Sequence, residues 1–293
     1  MRKKDKKEVN EMSKEGSIWW KLGHIRGIYL HITLVLLFIA AMFGLPKPPP
    51  ETISPYVQKT YDLIESLEPG DLVIFECRND YAWYVTHIPG ALGMIKHAIS
   101  KKVRIIEYET ANEGTMIFNY LILPVIKPLM DEMGYEYGKD FVRLGYFVGG
   151  DAVYSIMAED PSDLGTDVYG TPIRELPVFE GFEDGSDIKL IMFTGYYLVP
   201  AIRQIVARHD TDMVACSHAG GLQWWYVYLQ TGQLDGFIHG WSGGREYEHL
   251  IGQPGLGTFG SMAVSMGFYL CIVGIIITNV AYVGQLLTGG DEK

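Results

Sequence analysis

Two stretches of the chain carry no charged side chain, and between them apolar residues come in short runs. Gly27 to Leu45 and Gly260 to Leu287 contain no Asp, Glu, Lys or Arg. Crossing the hydrocarbon of a bilayer takes about 20 apolar residues, so the pattern predicts transmembrane helices at 27–45 and 260–284. A signal peptide competes for the first stretch, but Ala40 and Ala41 lead into bulky Met42 and Phe43 rather than a small-x-small cleavage site. A buried core helix competes for the second.

Six short runs lie between the spans: Asp71 to Cys77, Val103 to Tyr108, Phe141 to Phe147, Ile188 to Phe193, Met213 to Cys216 and Gly236 to His239. They are rich in Val, Ile and Phe without clean alternation, as strands covered on both faces should be. Helix-like stretches separate them. Pro89 suits a first helical turn, and Lys101 and Lys102 suit a helix C-terminus. Thr110-Ala111-Asn112-Glu113 matches a capping box for a helix over 111–134 that Pro124 and Pro128 would kink and Gly134 would end. Ser242 suits the N-cap of a helix running to Ile251. Strands alternating with helices imply crossover connections. The expected fold is therefore α/β over residues 56–251: a three-layer, Rossmann-like, mostly parallel sheet of about six strands, flanked by the two spans.

The connections are distinct. Pro46-Lys47-Pro48-Pro49-Pro50 predicts a stiff stalk over 46–55, and Gly252 to Thr258 a flexible, glycine-rich linker over 252–259. Asp160 to Asp187 lacks periodicity, which in so long a segment points to function or contacts.

Charge adds orientation. Residues 1–26 hold eight Lys/Arg against four acids, whereas residues 46–260 hold fifteen against twenty-nine, within a formal net charge of −11. Basic flanks stay cytoplasmic, so both termini, the basic tail 1–26 and the short tail 285–293, are expected in the cytoplasm of a cell-membrane protein. The acidic domain is then extracytoplasmic. Trp19 and Trp20 beside Lys21 suit the membrane interface, and so acidic a domain is not expected to bind nucleic acid. Cys77, Cys216 and Cys271 form no disulfide framework; two free core thiols weigh against an oxidising exterior.

Ligands of open parallel sheets gather where strands end and helices begin. That rule selects Asn79, Asp80, Glu109, Thr110, Gly149, Gly150, Asp151, Thr194, Gly195, Ser217, His218, Gly220, Gly221, His239, Ser242, Gly243, Gly244 and Arg245. Ordinary loop chemistry explains such residues equally well. No phosphate loop or G-x-G-x-x-G is present, since Arg78-Asn79-Asp80 follows the first strand, so no cofactor is implied. Ser217, in Ala215-Cys216-Ser217-His218-Ala219, resembles a nucleophile elbow, with His218, His239 and Asp151 as its candidate catalytic partners. The usual hydrolase order, serine then acid then a distant histidine, is missing. A His218/His239 metal site with Asp151 or Glu246 lacks H-x-x-x-H or C-x-x-C spacing, and structural histidines account for both residues. Trp224 and Tyr228 would share a helix face, packed on the sheet or, if exposed, offered to a partner. In the second span Gly260, Ala263, Gly267 and Gly274 form a small-residue face for helix packing.

Several stretches resemble a family of uncharacterised two-span membrane proteins: Tyr137 to Val142, Thr166 to Pro172 with Leu176-Pro177, Leu229 to Leu234, and Gly243 to Glu248. The resemblance implies an α/β domain between two spans and assigns no catalytic residue. Three functions are open: a bilayer-anchored module assembling with itself or with other membrane subunits, an enzyme of hydrolase or transferase type working at the strand ends, and a ligand-sensing domain.

Overall fold

The computed structural model describes residues 17–43 and 49–289. They divide into two compact units, one running from Pro48 to Thr258 and the other formed by the segments on either side.

In the outer unit lie α1 (Ile18–Gly23), α2 (Gly27–Phe43) and most of a long C-terminal helix, Leu256–Gly289. That helix is long and apolar enough to cross a membrane, with mean hydropathy 2.1, whereas α2 is also apolar but spans 17 residues. Gly267 meets Leu34, as a small-residue face allows, while Gly274 has nothing within 4 Å. The tightest approach was not foreseen: a Cβ on Gly284 would overlap the Trp19 ring, and Gln285 donates to the Trp19 carbonyl at 3.0 Å.

The α/β unit opens with α3 (Pro55–Glu65), then β1 (Leu72–Arg78), α4 (Tyr84–Ser100), β2 (Arg104–Glu109), α5 (Asn112–Ile117), a π-turn at Phe118–Ile122, and α6 (Leu123–Met133). It continues through β3 (Phe141–Tyr146), α7 (Asp151–Glu159), β4 (Ile188–Gly195), a helical segment at 199–209, β5 (Asp212–Ser217), α8 (Leu222–Thr231), β6 (Gly236–His239) and α9 (Gly240–Leu250). The C-terminal helix, α10, begins at Leu256. Each of the six expected strands is present within two residues of its expected ends. All pair in parallel, in the order β3-β2-β1-β4-β5-β6.

Alternate strand residues feed two cores. Val73, Phe75 and Cys77 pack with α4, α6 and α9 on one face; Leu72 and Ile74 pack with α7 and the 199–209 segment on the other. Helices therefore cover both faces, which is why the strands read as continuous apolar runs.

Four local expectations are corrected. Pro89 lies inside α4, which starts five residues earlier, after a turn at residues 81–83 that Asp80 holds. Thr110 does not cap α5; its hydroxyl is drawn to buried Glu76 at 2.6 Å. Ser242 is inside α9, which starts at Gly240, where φ is +55° and a side chain would be strained. The linker ends at Gly255, since Glu248 accepts hydrogen bonds from Gly257 N and Thr258 N and so caps α10 from Leu256. The stalk's first residues, 46–48, lie outside the described residues, and the irregular 160–187 segment consists of four single 3-10 turns.

Candidate functional site

The strand order reverses between β1 and β4: the helix after β1 packs on one face and the segment after β4 on the other. In such sheets the gap outside these two strand ends is where ligands bind. The turn that leads into α4 is held by Asp80, which accepts from Ala82 N at 2.8 Å and Trp83 N at 3.1 Å. The N-cap of α4 is Trp83, which makes no side-chain cap bond.

Behind Asp80 lies a directional chain of buried hydrogen bonds. The Thr194 hydroxyl donates to the Glu76 carbonyl at 3.2 Å, and a carbonyl can only accept. With its proton committed, Thr194 Oγ1 accepts from Asn79 Nδ2 at 2.9 Å. This turns Asn79 Oδ1 toward His87, 2.6 Å from Nδ1, so His87 must carry its proton on Nδ1. Burial, assisted by the neighbouring His218 imidazole, pushes the His87 pKa down to about 3. The ring is neutral at pH 7, and its Nε2 lone pair is buried without a partner among the described residues. His218 stacks on His87 at 6.1 Å and Trp83 on His218 at 4.7 Å, forming a column from half-exposed Trp83 down to His87. Gly90 sets the depth of this helix, because a Cβ there would overlap Cys216 Sγ.

On the opposite face Glu76 Oε1 accepts from Thr110 and from Tyr154, each at 2.6 Å, and Oε2 has no partner among the described residues. Burial raises its pKa to about 7, against the hydrogen bonds, which lower it. Arg78 donates to Thr110 at 3.3 Å and lies over the Tyr197 ring. Because folding raises this carboxyl from its usual 4.5, the native state holds a proton that the unfolded chain has lost. Stability contributed by Glu76 is therefore intact below pH 4.5 and falls as pH rises toward 7, by about 3 kcal/mol. His87 acts oppositely: its folded pKa is depressed, so its contribution grows from about pH 3 to 6.5. Glu76→Gln is expected to stabilise the protein at pH 7 and not at pH 4, leaving the rise due to His87 visible in urea unfolding across that range.

The residues chosen from sequence separate into groups. Ser217 and His239 are register partners on β5 and β6. The Ser217 hydroxyl is buried, bonds to no imidazole, and converges with the unpartnered Trp225 Nε1 on the bare face of Gly221, 3.0 and 3.1 Å from where a Cβ would sit. His239 Nε2 lies 3.9 Å from Glu246, while His218 belongs to the ring column. Asp151 starts α7 and pairs with Arg203 at 2.7 Å. It follows β3, four strands from β5, so Asp151 does not join Ser217, whose hydroxyl bonds to neither His218 nor His239. Among the described residues no cluster of three or more His, Cys, Asp or Glu side chains is arranged for a metal ion.

Of the ligand-binding candidates, Asn79 and Thr194 form the relay, Asp80 holds the turn ahead of α4, and Gly195 closes the β1/β4 gap against the Arg78 carbonyl. Thr110 belongs to the Glu76 group, and Glu109 to a third buried group, where Arg143 bonds Glu107 at 2.9 Å and Glu109 at 3.3 Å. Gly149 and Gly150 adopt positive φ before α7. Gly220 abuts the His218 ring, and Ser242, Gly243, Gly244 and Arg245 all lie within α9. Sequence reading missed His87, Glu76, Glu107 and Arg143. Trp224 is exposed and Trp225 is the buried ring of α8.

Fold and site thus define a Rossmann-like α/β unit with a polar relay at its switch point. No family model, no curated protein and no solved structure matches the chain.

Proposed function

We propose that this protein is a membrane-anchored, ligand-binding α/β module that holds a small uncharged polar ligand at the β1/β4 crevice, the ligand donating a hydrogen bond to His87 Nε2. The observation that carries this reading is the Thr194–Asn79–His87 chain, three buried side chains that among the described residues end in an unpaired acceptor. Burying an acceptor without a partner costs about 1–3 kcal/mol, a cost that a ligand donor removes. Binding is favoured over base catalysis, because an imidazole with a pKa near 3 is a weak base at pH 7. Ser217 without an imidazole argues in the same direction.

The anchoring half of the proposal places both α2 and α10 across the bilayer, with the termini in the cytoplasm. At 34 residues α10 spans about 50 Å, ample for a hydrocarbon core of about 30 Å. A second reading, assembly with another copy or another membrane subunit through α10, is supported by Gly274, whose side is open among exposed Ile and Val residues. The two readings are compatible.

The test begins with membranes washed in alkaline carbonate, from which an anchored protein is not released. Wild type and His87→Phe, which keeps a ring beneath His218, are then purified and dialysed against a mixture of small polar metabolites. Wild type is expected to retain a compound that His87→Phe loses; identical retention by the two proteins contradicts the reading.

A further inference from the structure

The two ends of the sheet differ sharply in chemistry. The loops that lead into the strands, residues 66–71, 101–103, 134–140, 180–187, 210–211 and 232–235, hold ten Asp or Glu residues and three lysines. The loops that follow the strands, residues 79–83, 110–111, 147–150, 196–198 and 218–221, hold one carboxylate, Asp80, and no Lys or Arg. That single carboxylate is bonded within its own loop, to Ala82 N and Trp83 N.

Beside the Asp151–Arg203 pair at the start of α7, the carboxyl end presents large apolar side chains. Tyr81, Val85, Val148, Tyr196 and Tyr197 are exposed, Val148 to 82%, and Trp224 adds another ring from α8. Scattered exposed apolar residues are ordinary, but here they ring one end of the sheet, which marks a contact surface. Tyrosine and tryptophan are the residues that settle at a membrane–water interface.

The points at which the chain joins and leaves the α/β unit select the partner. Before α3, Ser54 N donates to Glu246 at 2.8 Å and the Pro49 carbonyl accepts from Arg245 at 3.2 Å. After α9, Gly257 packs backbone to backbone on Gly244, which in turn touches Pro89. These contacts fall midway along α9, at residues 244–246, and in the first half of α4, helices that both start at the carboxyl end of the sheet. The helix α3 leads into the amino end of β1, and its Thr60 abuts Gly236 at the start of β6, so its Ser54 end is the one nearer the apolar side and away from the acidic loops.

We propose that the carboxyl end of the sheet docks on the surface of the lipid bilayer, its aromatic rim seated among the headgroups and the acidic loops directed away. The inference rests on the anchoring half of the function proposed above and not on its ligand. It also turns the crevice at β1 and β4 toward the membrane surface.

The test uses the full chain in phosphatidylcholine vesicles with a minor share of phosphatidylglycerol, washed in alkaline carbonate so that protein that fails to anchor is removed before any reading. Cys271→Ser removes the exposed thiol, while Cys77 and Cys216 are buried. Single spin labels are introduced at Val148→Cys and Trp224→Cys on the rim and at Asp184→Cys among the acidic loops, with Tyr81→Cys and Tyr196→Cys as further rim sites if a variant fails to incorporate. Rim labels are expected to collide with oxygen in preference to a water-soluble nickel chelate, and the Asp184 site to show the reverse. Rim labels as open to the nickel chelate as the Asp184 site would overturn the docking proposal. Washed-off protein would instead overturn the anchoring on which it rests.

Discussion

Arg143→Met is expected to destabilise the fold by about 3–5 kcal/mol, the cost of removing one partner from a buried ion group. Arg143 is buried and reaches Glu107 at 2.9 Å, Glu109 at 3.3 Å and Asn119 at 2.6 Å, with its guanidinium over the Phe118 ring. Two buried carboxyls thus share one cation. Burial, and for Glu107 the charge of Glu109, pushes both above the ordinary carboxylate range. Without the guanidinium each must be neutral to stay inside, so the loss should deepen as pH rises and shrink in acid. Adding Glu107→Gln and Glu109→Gln removes the stranded charges and should recover part of the loss. Urea unfolding of the single and triple variants at pH 5 and pH 8 checks both statements; a loss that is equal at the two pH values contradicts them.

Gly195→Ala should cost about 4 kcal/mol, with positive-φ strain and overpacking contributing about 1–3 each. Gly195 has φ +133° and its α-carbon faces the Arg78 carbonyl, where a Cβ would overlap backbone that has no room to yield. Forcing β1 and β4 apart there should also separate Asn79 from Thr194, so ligand retention falls with stability. Gly170→Ala is the control. Its φ is +86° but nothing lies within 4 Å, so it should cost only about 1–2 kcal/mol of backbone strain. Thermal unfolding of the two variants separates collision from conformation.

Much of the fold was legible because a parallel sheet covered on both faces writes itself as apolar runs. Gly236 to His239 was read to the residue, and the other five strands to within two. Strand order was not legible, since it depends on which face each crossover takes. The rule of looking just past each strand found Asn79 and Thr194. It could not find His87, which lies one turn into α4, or Glu76, which lies inside β1. A signal for the second kind was present: Glu76, Glu107 and Arg143 each interrupt an apolar run, and a charge in a strand buried on both faces has to be paired or neutralised. The emptiness of the carboxyl-end loops was also in the sequence, but it becomes visible only once the strands fix which loops share an end.

The protonation of His87 tests the central claim most directly. Nitrogen NMR of the full chain, labelled with 15N at histidine and assigned by His87→Phe, is expected to show a neutral ring with its proton on Nδ1, unchanged from pH 8 down to pH 5. A proton on Nε2, or titration of His87 near pH 6.5, would contradict the relay and with it the site.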